Sequence, residues 1–276
     1  MNDFRKFFKN KKVTVVGLGL LGRGVGDVAL LAECGAKLVV TDLKIKEQLK
    51  ESLKKLKKFK GIKYVLGKHR LEDFKKSDFI LKNPAIPLDS IYIKEARKNN
   101  IPIEMSATLF AKISNIPMIA VTGTRGKSTV THLIAHILKS AGKKIILGGN
   151  IRGVSGLQLL KKIKNAKMAV FELDSWQLQG FGDSKISPCI SVFTTFFPDH
   201  MGYYKGNIKK YFSDKAHIFK YHKNKDLLIV GKQVLPFIQK WGGKIKSKIV
   251  IPKEKLPKSW KFNLPGMHNE YNAMLA

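Results

Sequence analysis

Cysteine is nearly absent from this sequence. The 276 residues hold two, Cys34 and Cys189, far apart and without metal-ligand spacing around either. That excludes a disulfide-stapled scaffold and a cysteine-based metal site. Both are expected to be buried thiols in a reducing compartment. Long apolar runs are missing as well. No stretch reaches the roughly 20 residues that a membrane-spanning helix needs, so no membrane insertion is expected. The opening imitates a secretory leader, since Lys9, Lys11 and Lys12 precede the apolar run Val13–Leu21. That run is rich in glycine, is followed by Arg23 and Asp27 and lacks a cleavage site. It reads better as the buried first strand of a cytoplasmic protein.

Acidic residues and arginine are scarce too. Asp and Glu number 20 against 52 Lys and Arg, for a formal net charge of +32. Arginine stands only at positions 5, 23, 70, 97, 125 and 152, so the basic charge is almost all lysine. The lysines are scattered, as in Lys54, Lys55, Lys57, Lys58 and Lys60. A nucleic-acid module more often clusters arginine and interleaves it with aromatics. The charge is therefore read as a lysine-rich surface with no specific nucleic-acid partner, although it favours the approach of anionic nucleotides at low salt. With 44% hydrophobic residues and no evident repeats, the chain has room for two ordinary domains, each with its own core.

What is present is organised around two glycine-rich turns. The first follows the β-rich run Lys12–Val16 and reads Gly17-Leu18-Gly19-Leu20-Leu21-Gly22. An amphipathic segment runs from there to about Glu33, then the apolar run Leu38–Val40 and Asp42. Strand, glycine turn, helix, strand and acid make a Rossmann-like unit, with Asp42 20 residues past Gly22, where a ribose-binding acid belongs. The glycines allow a close backbone approach to a diphosphate, and the helix start offers unpaired N–H groups. The pattern does not choose between NAD and another diphosphate. Tyr64–Leu66 and Asp78–Leu81 are expected as further strands and Ser90–Asn99 as a helix. Asn83-Pro84-Ala85-Ile86-Pro87 follows a strand end, where open α/β sheets bind ligands.

The second turn follows the buried strand Pro117–Val121 and reads Thr122-Gly123-Thr124-Arg125-Gly126-Lys127-Ser128-Thr129, ahead of the helical run Val130–Ser140. This is a variant phosphate loop: position 121 is Val where the general pattern has its leading Gly. Its N–H groups are expected to cradle phosphates, with Lys127 reaching the β/γ region and Ser128 helping to hold Mg²⁺. Glu172, at the end of the apolar strand Met168–Phe171, is a candidate for the metal-holding acid. Asp199 and His200 follow the strand Cys189–Thr195 and are candidates for charge handling near the γ-phosphate.

With these elements in order, the sequence resembles the Mur ligases. Thr122–Thr129 is similar to that family's ATP loop. Phe171-Glu172-Leu173-Asp174-Ser175-Trp176-Gln177-Leu178 resembles its metal-binding segment, and Pro198-Asp199-His200-Met201 its Asp-His-Met element. Tyr211-Phe212-Ser213-Asp214-Lys215 resembles the segment with the family's carbamylated lysine. Gly266-Met267-His268-Asn269-Glu270-Tyr271-Asn272 resembles its Gly-x-His-Asn-x-x-Asn motif.

The resemblance implies an α/β protein in two parts. Residues 1–105 would be a Rossmann-like domain binding the UDP of the substrate, and 106–276 a P-loop ATP-binding domain. It implies ATP contacts from Gly123, Thr124, Arg125, Gly126, Lys127, Ser128, Thr129, Asn269 and Asn272, and UDP-substrate contacts from Gly19, Leu20, Leu21, Thr41, Asp42, Asn83 and Asn150. Mg²⁺ would be held by Ser128, Glu172, His200 and a carbamylated Lys215, with Lys127, His200 and Lys215 as the catalytic set. The implied reaction is amide ligation in peptidoglycan precursor synthesis, joining D-glutamate to UDP-N-acetylmuramoyl-L-alanine by way of an acyl phosphate, in a monomer.

Three departures stand out. Arg125 replaces the usual Asn of the loop, and Asp174 a common serine. The third is that family members continue into a third domain beyond the Asn motif, so the 276 residues are expected to bind both nucleotides without completing the reaction. Three readings compete: another ligase of the superfamily such as a poly-γ-glutamate synthase, an NAD-dependent oxidoreductase, and a nucleic-acid-binding ATPase. The oxidoreductase leaves the phosphate loop, Glu172 and Asn272 unexplained.

Overall fold

A short helix, α1 (Phe4–Phe8), opens the described part of the chain, its start capped by the Asp3 carboxylate, which accepts the Arg5 N–H. The structure is a computed structural model that describes residues 3–253, 255–257 and 259–276. The strands that follow are β1 (Lys12–Val16), β2 (Lys37–Asp42), β3 (Lys63–Leu66), β4 (Phe79–Lys82) and β5 (Ile103–Glu104). They alternate with α2 (Arg23–Glu33), α3 (Lys50–Leu56), α4 (Ile91–Lys98) and α5 (Ser106–Ser114). All pair in parallel, in the order β3-β2-β1-β4-β5. Val13, Thr14, Val15 and Val16 are all buried, as a central parallel strand covered on both faces requires. Ser90 caps α4 by accepting the Ile93 N–H, and Asn99 and Asn100 close it.

The second sheet is also all parallel, in the order β11-β10-β9-β6-β8-β7. Its strands are β6 (Met118–Thr122), β7 (Ile145–Gly149), β8 (Met168–Glu172), β9 (Ile190–Phe193), β10 (Leu227–Val230) and β11 (Lys248–Val250). Its helices are α6 (Lys127–Ser140), α7 (Ser175–Asp183), α8 (Ile208–Ala216), α9 (Leu235–Trp241) and α10 (Met267–Leu275). Helix α6 begins at Lys127, three residues ahead of the helical run expected over Val130–Ser140. Gly142 follows its end at φ 70°, in the left-handed turn that suits glycine. Leu275 of α10 joins Val121, Val130, Ile134, Val170 and Val192 in the core. Cys34 is buried as expected, whereas Cys189 is only half-buried, its thiol donating to the Met118 carbonyl at the start of β6. No helix of the described residues is long and apolar enough to cross a membrane.

The contacts divide the chain differently from a cut at residue 105. One unit runs through Asn115 and takes back Ile151–Lys162; the other comprises Ile116–Asn150 and Ile163–Ala276. A buried carboxylate bonds the returning segment. Asp27 of α2 accepts the hydroxyls of Ser155 at 2.5 Å and Ser106 at 2.8 Å, and the Leu157 N–H at 3.3 Å. Gln158 adds a bond to the Gly26 carbonyl, and Lys161 pairs with Glu33. Burial pushes the Asp27 carboxyl up to about 6 against the pull of those donors.

Candidate functional site

In the first unit the expected ligand residues gather where β1, β2 and β4 end, the switch point of the strand order. Gly17 has φ 83°, and a Cβ there would stand 2.9 Å from Asn83 Cβ and 3.0 Å from Ile86 Cδ1, so the turn needs glycine. Asn83 donates to the Gly17 carbonyl at 3.3 Å. Asp42 is almost fully buried, and its two oxygens accept the N–H groups of Gly19 at 3.0 Å and Lys44 at 2.9 Å. It therefore braces the glycine turn, and each oxygen keeps a second lone pair for a ligand. Thr41 is spent internally: its hydroxyl bonds the Lys68 carbonyl and His69 Nδ1. Leu20 and Leu21 are exposed at the turn. Asn150 belongs to the second unit, where it stands beside Glu172.

In the second unit the phosphate loop links β6 to α6. Lys127 reaches back and donates to the carbonyls of Gly123 and Thr124, both at 3.0 Å. Burial pulls its ammonium below the usual lysine range, with Glu172, Asp174 and Asp199 opposing. Ser128 donates to Glu172 Oε2 at 2.6 Å, and the Asn150 amide donates to Glu172 Oε1 at 3.2 Å. These three residues come from the loop and from the ends of two adjacent strands, β8 and β7. Arg125 projects as an exposed residue while its backbone is clasped: its N–H donates to Thr195 Oγ1, and its carbonyl accepts both Thr194 and Thr195 hydroxyls. Thr129 sits half-buried in the first turn of α6.

Lys215 of α8 is buried at 2% exposure. Its Nζ donates to the Gly123 carbonyl at 2.8 Å and lies 4.9 Å from the centre of the Tyr211 ring. Burial, reinforced by the Lys127 charge, lowers it to about 7, with Asp174, Asp199 and Asp214 opposing. Tyr211 also approaches Thr124 Oγ1, at 3.4 Å. Asp174, one of the departures, is the N-cap of α7 in a capping box with Gln177. Serine caps helices equally well, so the exchange keeps the cap and adds a negative charge felt by Lys127 and Lys215. His200 has φ 54°; its N–H donates to Asp199 Oδ1, and its ring lies 4.9 Å from Trp176.

Helix α10 brings the Asn motif to the same loop. Asn272 is buried and donates to Asn269 Oδ1 at 3.3 Å. A Cβ on Gly126 would meet Asn272 Oδ1 at 2.5 Å, so this side chain lies directly against the phosphate loop. The structure thus joins Gly123 through Ser128, Glu172, Asn150, Lys215 and Asn272, with His200 held on Asp199 and Trp176. Sequence reasoning missed the Thr194–Thr195 clasp, which it placed inside a strand, and Lys82, a buried lysine ending β4. The adjacent hydroxyls at a strand end were the available signal for the first.

The fold and this loop define a P-loop protein built on two all-parallel α/β units. Among known families, residues 11–104 match the Mur ligase MurD-like, N-terminal domain and residues 121–255 the Mur ligase middle domain. The chain belongs to the Mur ligase family. It is similar to the UDP-N-acetylmuramoylalanine--D-glutamate ligase of Borreliella afzelii (strain PKo), 39% identical over 86% of this chain and 51% of that protein. It is likewise similar to the enzyme of the same name from Clostridium kluyveri, 31% identical over 100% of this chain and 62% of that protein. The chain spans about half the length of such curated relatives. Among solved structures it resembles the UDP-N-acetylmuramate:L-alanyl-gamma-D-glutamyl-meso-diaminopimelate ligase from Neisseria meningitides. The TM-score is 0.58 at 16% identity, covering 96% of this chain and 91% of that one, a likeness of fold alone.

Proposed function

We propose that this chain serves an ATP-dependent ligase reaction that joins D-glutamate to UDP-N-acetylmuramoyl-L-alanine, the first unit binding the uridine nucleotide and the second ATP. The observation that carries the reading is the Ser128–Glu172 bond beside Lys127, found in a chain 39% identical to a D-glutamate ligase. A carboxylate does not condense with an amine unaided. In this reading a substrate carboxylate oxygen attacks the γ-phosphorus and ADP leaves; the amine then attacks the acyl phosphate, phosphate departs and the nitrogen loses a proton. Catalysis of this kind is mainly positioning and charge neutralisation.

The residues present fit a Mg²⁺ ion. Ser128 and the buried Glu172 offer hard oxygens at the phosphate loop, and Mg²⁺ takes its remaining ligands from phosphate and water. Among the described residues there is no group of three or more His, Cys, Asp or Glu that could hold a metal ion. When bound, the ion offsets phosphate charge. Lys127 trades its two loop carbonyls for phosphate oxygens. A second ion would be held by His200 and by Lys215, the lysine as a carbamate. Its burial favours the neutral amine that carbamylation needs, and the carbamate supplies oxygen where an ammonium would repel a cation. Asn269 and Asn272 face the base end of ATP. Gly19, Leu20, Leu21, Asp42 and Asn83 form the uridine-nucleotide end, with Asn150 toward the reacting carboxylate; Thr41, its hydroxyl bonded to Lys68 and His69, supports it from beneath.

The test is calorimetry on the whole chain with UDP-N-acetylmuramoyl-L-alanine, a non-hydrolysable ATP analogue with Mg²⁺, NADH and single-stranded DNA at moderate salt. Binding of the first two without NADH is expected. Tighter binding of NADH than of the UDP compound would overturn the reading.

A further inference from the structure

Lys82 ends β4 with 1% of its surface exposed. Burying an ammonium is costly unless its donors are satisfied. Here Nζ donates to the carbonyls of Asn83 at 3.2 Å, Pro84 at 3.0 Å and Ile86 at 2.7 Å. All three belong to the loop that follows the strand. The Asn83 carbonyl also accepts the Ile86 N–H at 3.0 Å, which closes the loop as a turn. Asn83 precedes Pro84 and Ile86 precedes Pro87, so two of these three peptide units carry no N–H.

The same loop is seated on the glycine turn. The Asn83 N–H donates to the Val16 carbonyl at 2.9 Å, and its side chain bonds the Gly17 carbonyl and accepts the Ala85 N–H. Ile86 packs on the core cluster that contains Val16, and its Cδ1 closes on Gly17. Lys82 thus draws three carbonyl oxygens, the negative ends of their dipoles, toward one interior cation. Oxygens held on Nζ are kept from turning to the mouth of the glycine turn, where an anion would lie.

We propose that Lys82 is a positioning residue for the diphosphate of a uridine nucleotide, acting through the Asn83–Ile86 loop. This rests on the reading of the first unit as the uridine-nucleotide site. The ammonium sets the loop before ligand arrives, so binding bears no cost of ordering it.

The test is calorimetry of the full chain and its Lys82→Met variant with UDP, and with ADP and Mg²⁺ as the control for the second unit. Loss of the charge-assisted bonds is expected to weaken UDP about tenfold and to leave ADP unchanged. In an Asn83→Ala background the same substitution is expected to cost much less, because both act through one loop. Full additivity would make Lys82 merely structural and overturn the proposal, as would equal UDP affinity in wild type and Lys82→Met. A wild-type chain that ignores UDP refutes the site itself, and the proposal with it. Should Lys82→Met not fold, hydrogen exchange on the wild type decides. Slow exchange at the Ala85 and Ile86 amides without UDP supports a preset loop, and fast exchange overturns it.

Discussion

Ser128 and Glu172, 44 positions apart in the chain, are joined by a 2.6 Å hydrogen bond between the first turn of α6 and the end of β8. The bond places a hydroxyl and a buried carboxylate side by side at the phosphate loop. Glu172→Gln keeps the size and the hydrogen bond but removes the charge. It is expected to weaken binding of a Mg²⁺–ATP analogue by about tenfold, 1.4 kcal/mol, and to abolish the advantage that Mg²⁺ gives over metal-free nucleotide. Titrations with and without Mg²⁺ check this; an undiminished Mg²⁺ effect would remove Glu172 from the metal site.

Lys127 bonds only carbonyls of its own loop among the contacts described for it. Lys127→Ala should therefore lower ATP affinity by tenfold or more, on the order of the 1.5–3 kcal/mol of charge-assisted hydrogen bonds. The melting temperature should move little. Unchanged affinity in a variant with a normal circular dichroism spectrum argues against a phosphate loop.

Asp27 makes stability depend on pH. Its carboxyl rises from 3.8 to about 6 on folding. Below pH 4 it is protonated folded or unfolded and costs nothing. As pH rises through 4 to 6 the folded state must hold a buried charge, and stability falls, by about 3 kcal/mol at most. Asp27→Asn lacks this loss. The variant should gain on the wild type in urea denaturation between pH 4 and pH 7, and a gap that stays constant with pH would refute the account.

Lys215 combines burial, a single carbonyl partner on the phosphate loop and a lowered basicity. With ¹³C-bicarbonate at pH 8 the chain is expected to show a carbamate resonance that Lys215→Ala lacks. Identical spectra for the two proteins would rule out the modification.

Much of this was legible in the sequence because the signals were local. The phosphate loop, its strand and its helix lie within about 25 residues, and the glycine turn announces its own geometry. The α/β class followed from that alternation. Other features depend on distant partners. Asp27 and Ser155 lie 128 positions apart, and nothing near either foretells the bond. Lys82 follows an apolar run and reads as the residue where a strand meets solvent, yet its Nζ turns inward onto the carbonyls of Asn83, Pro84 and Ile86. Thr194 and Thr195 have the β-branched character of strand residues. Their hydroxyls instead fold onto Arg125, so β9 stops at Phe193. Asp42 was found by spacing, but its hold on the Gly19 N–H needed coordinates.

The return of Ile151–Lys162 to the first unit has a consequence for inheritance. The polypeptide passes from one unit to the other after Asn115, after Asn150 and again after Lys162. A recombination event that exchanged everything before Ile116 for a foreign counterpart would leave Ser155 and Leu157 facing whatever stands in place of Asp27. The residues before Ile116 and the segment Ile151–Lys162 are therefore matched to each other at these few positions, and a cut at Ile116 would part them.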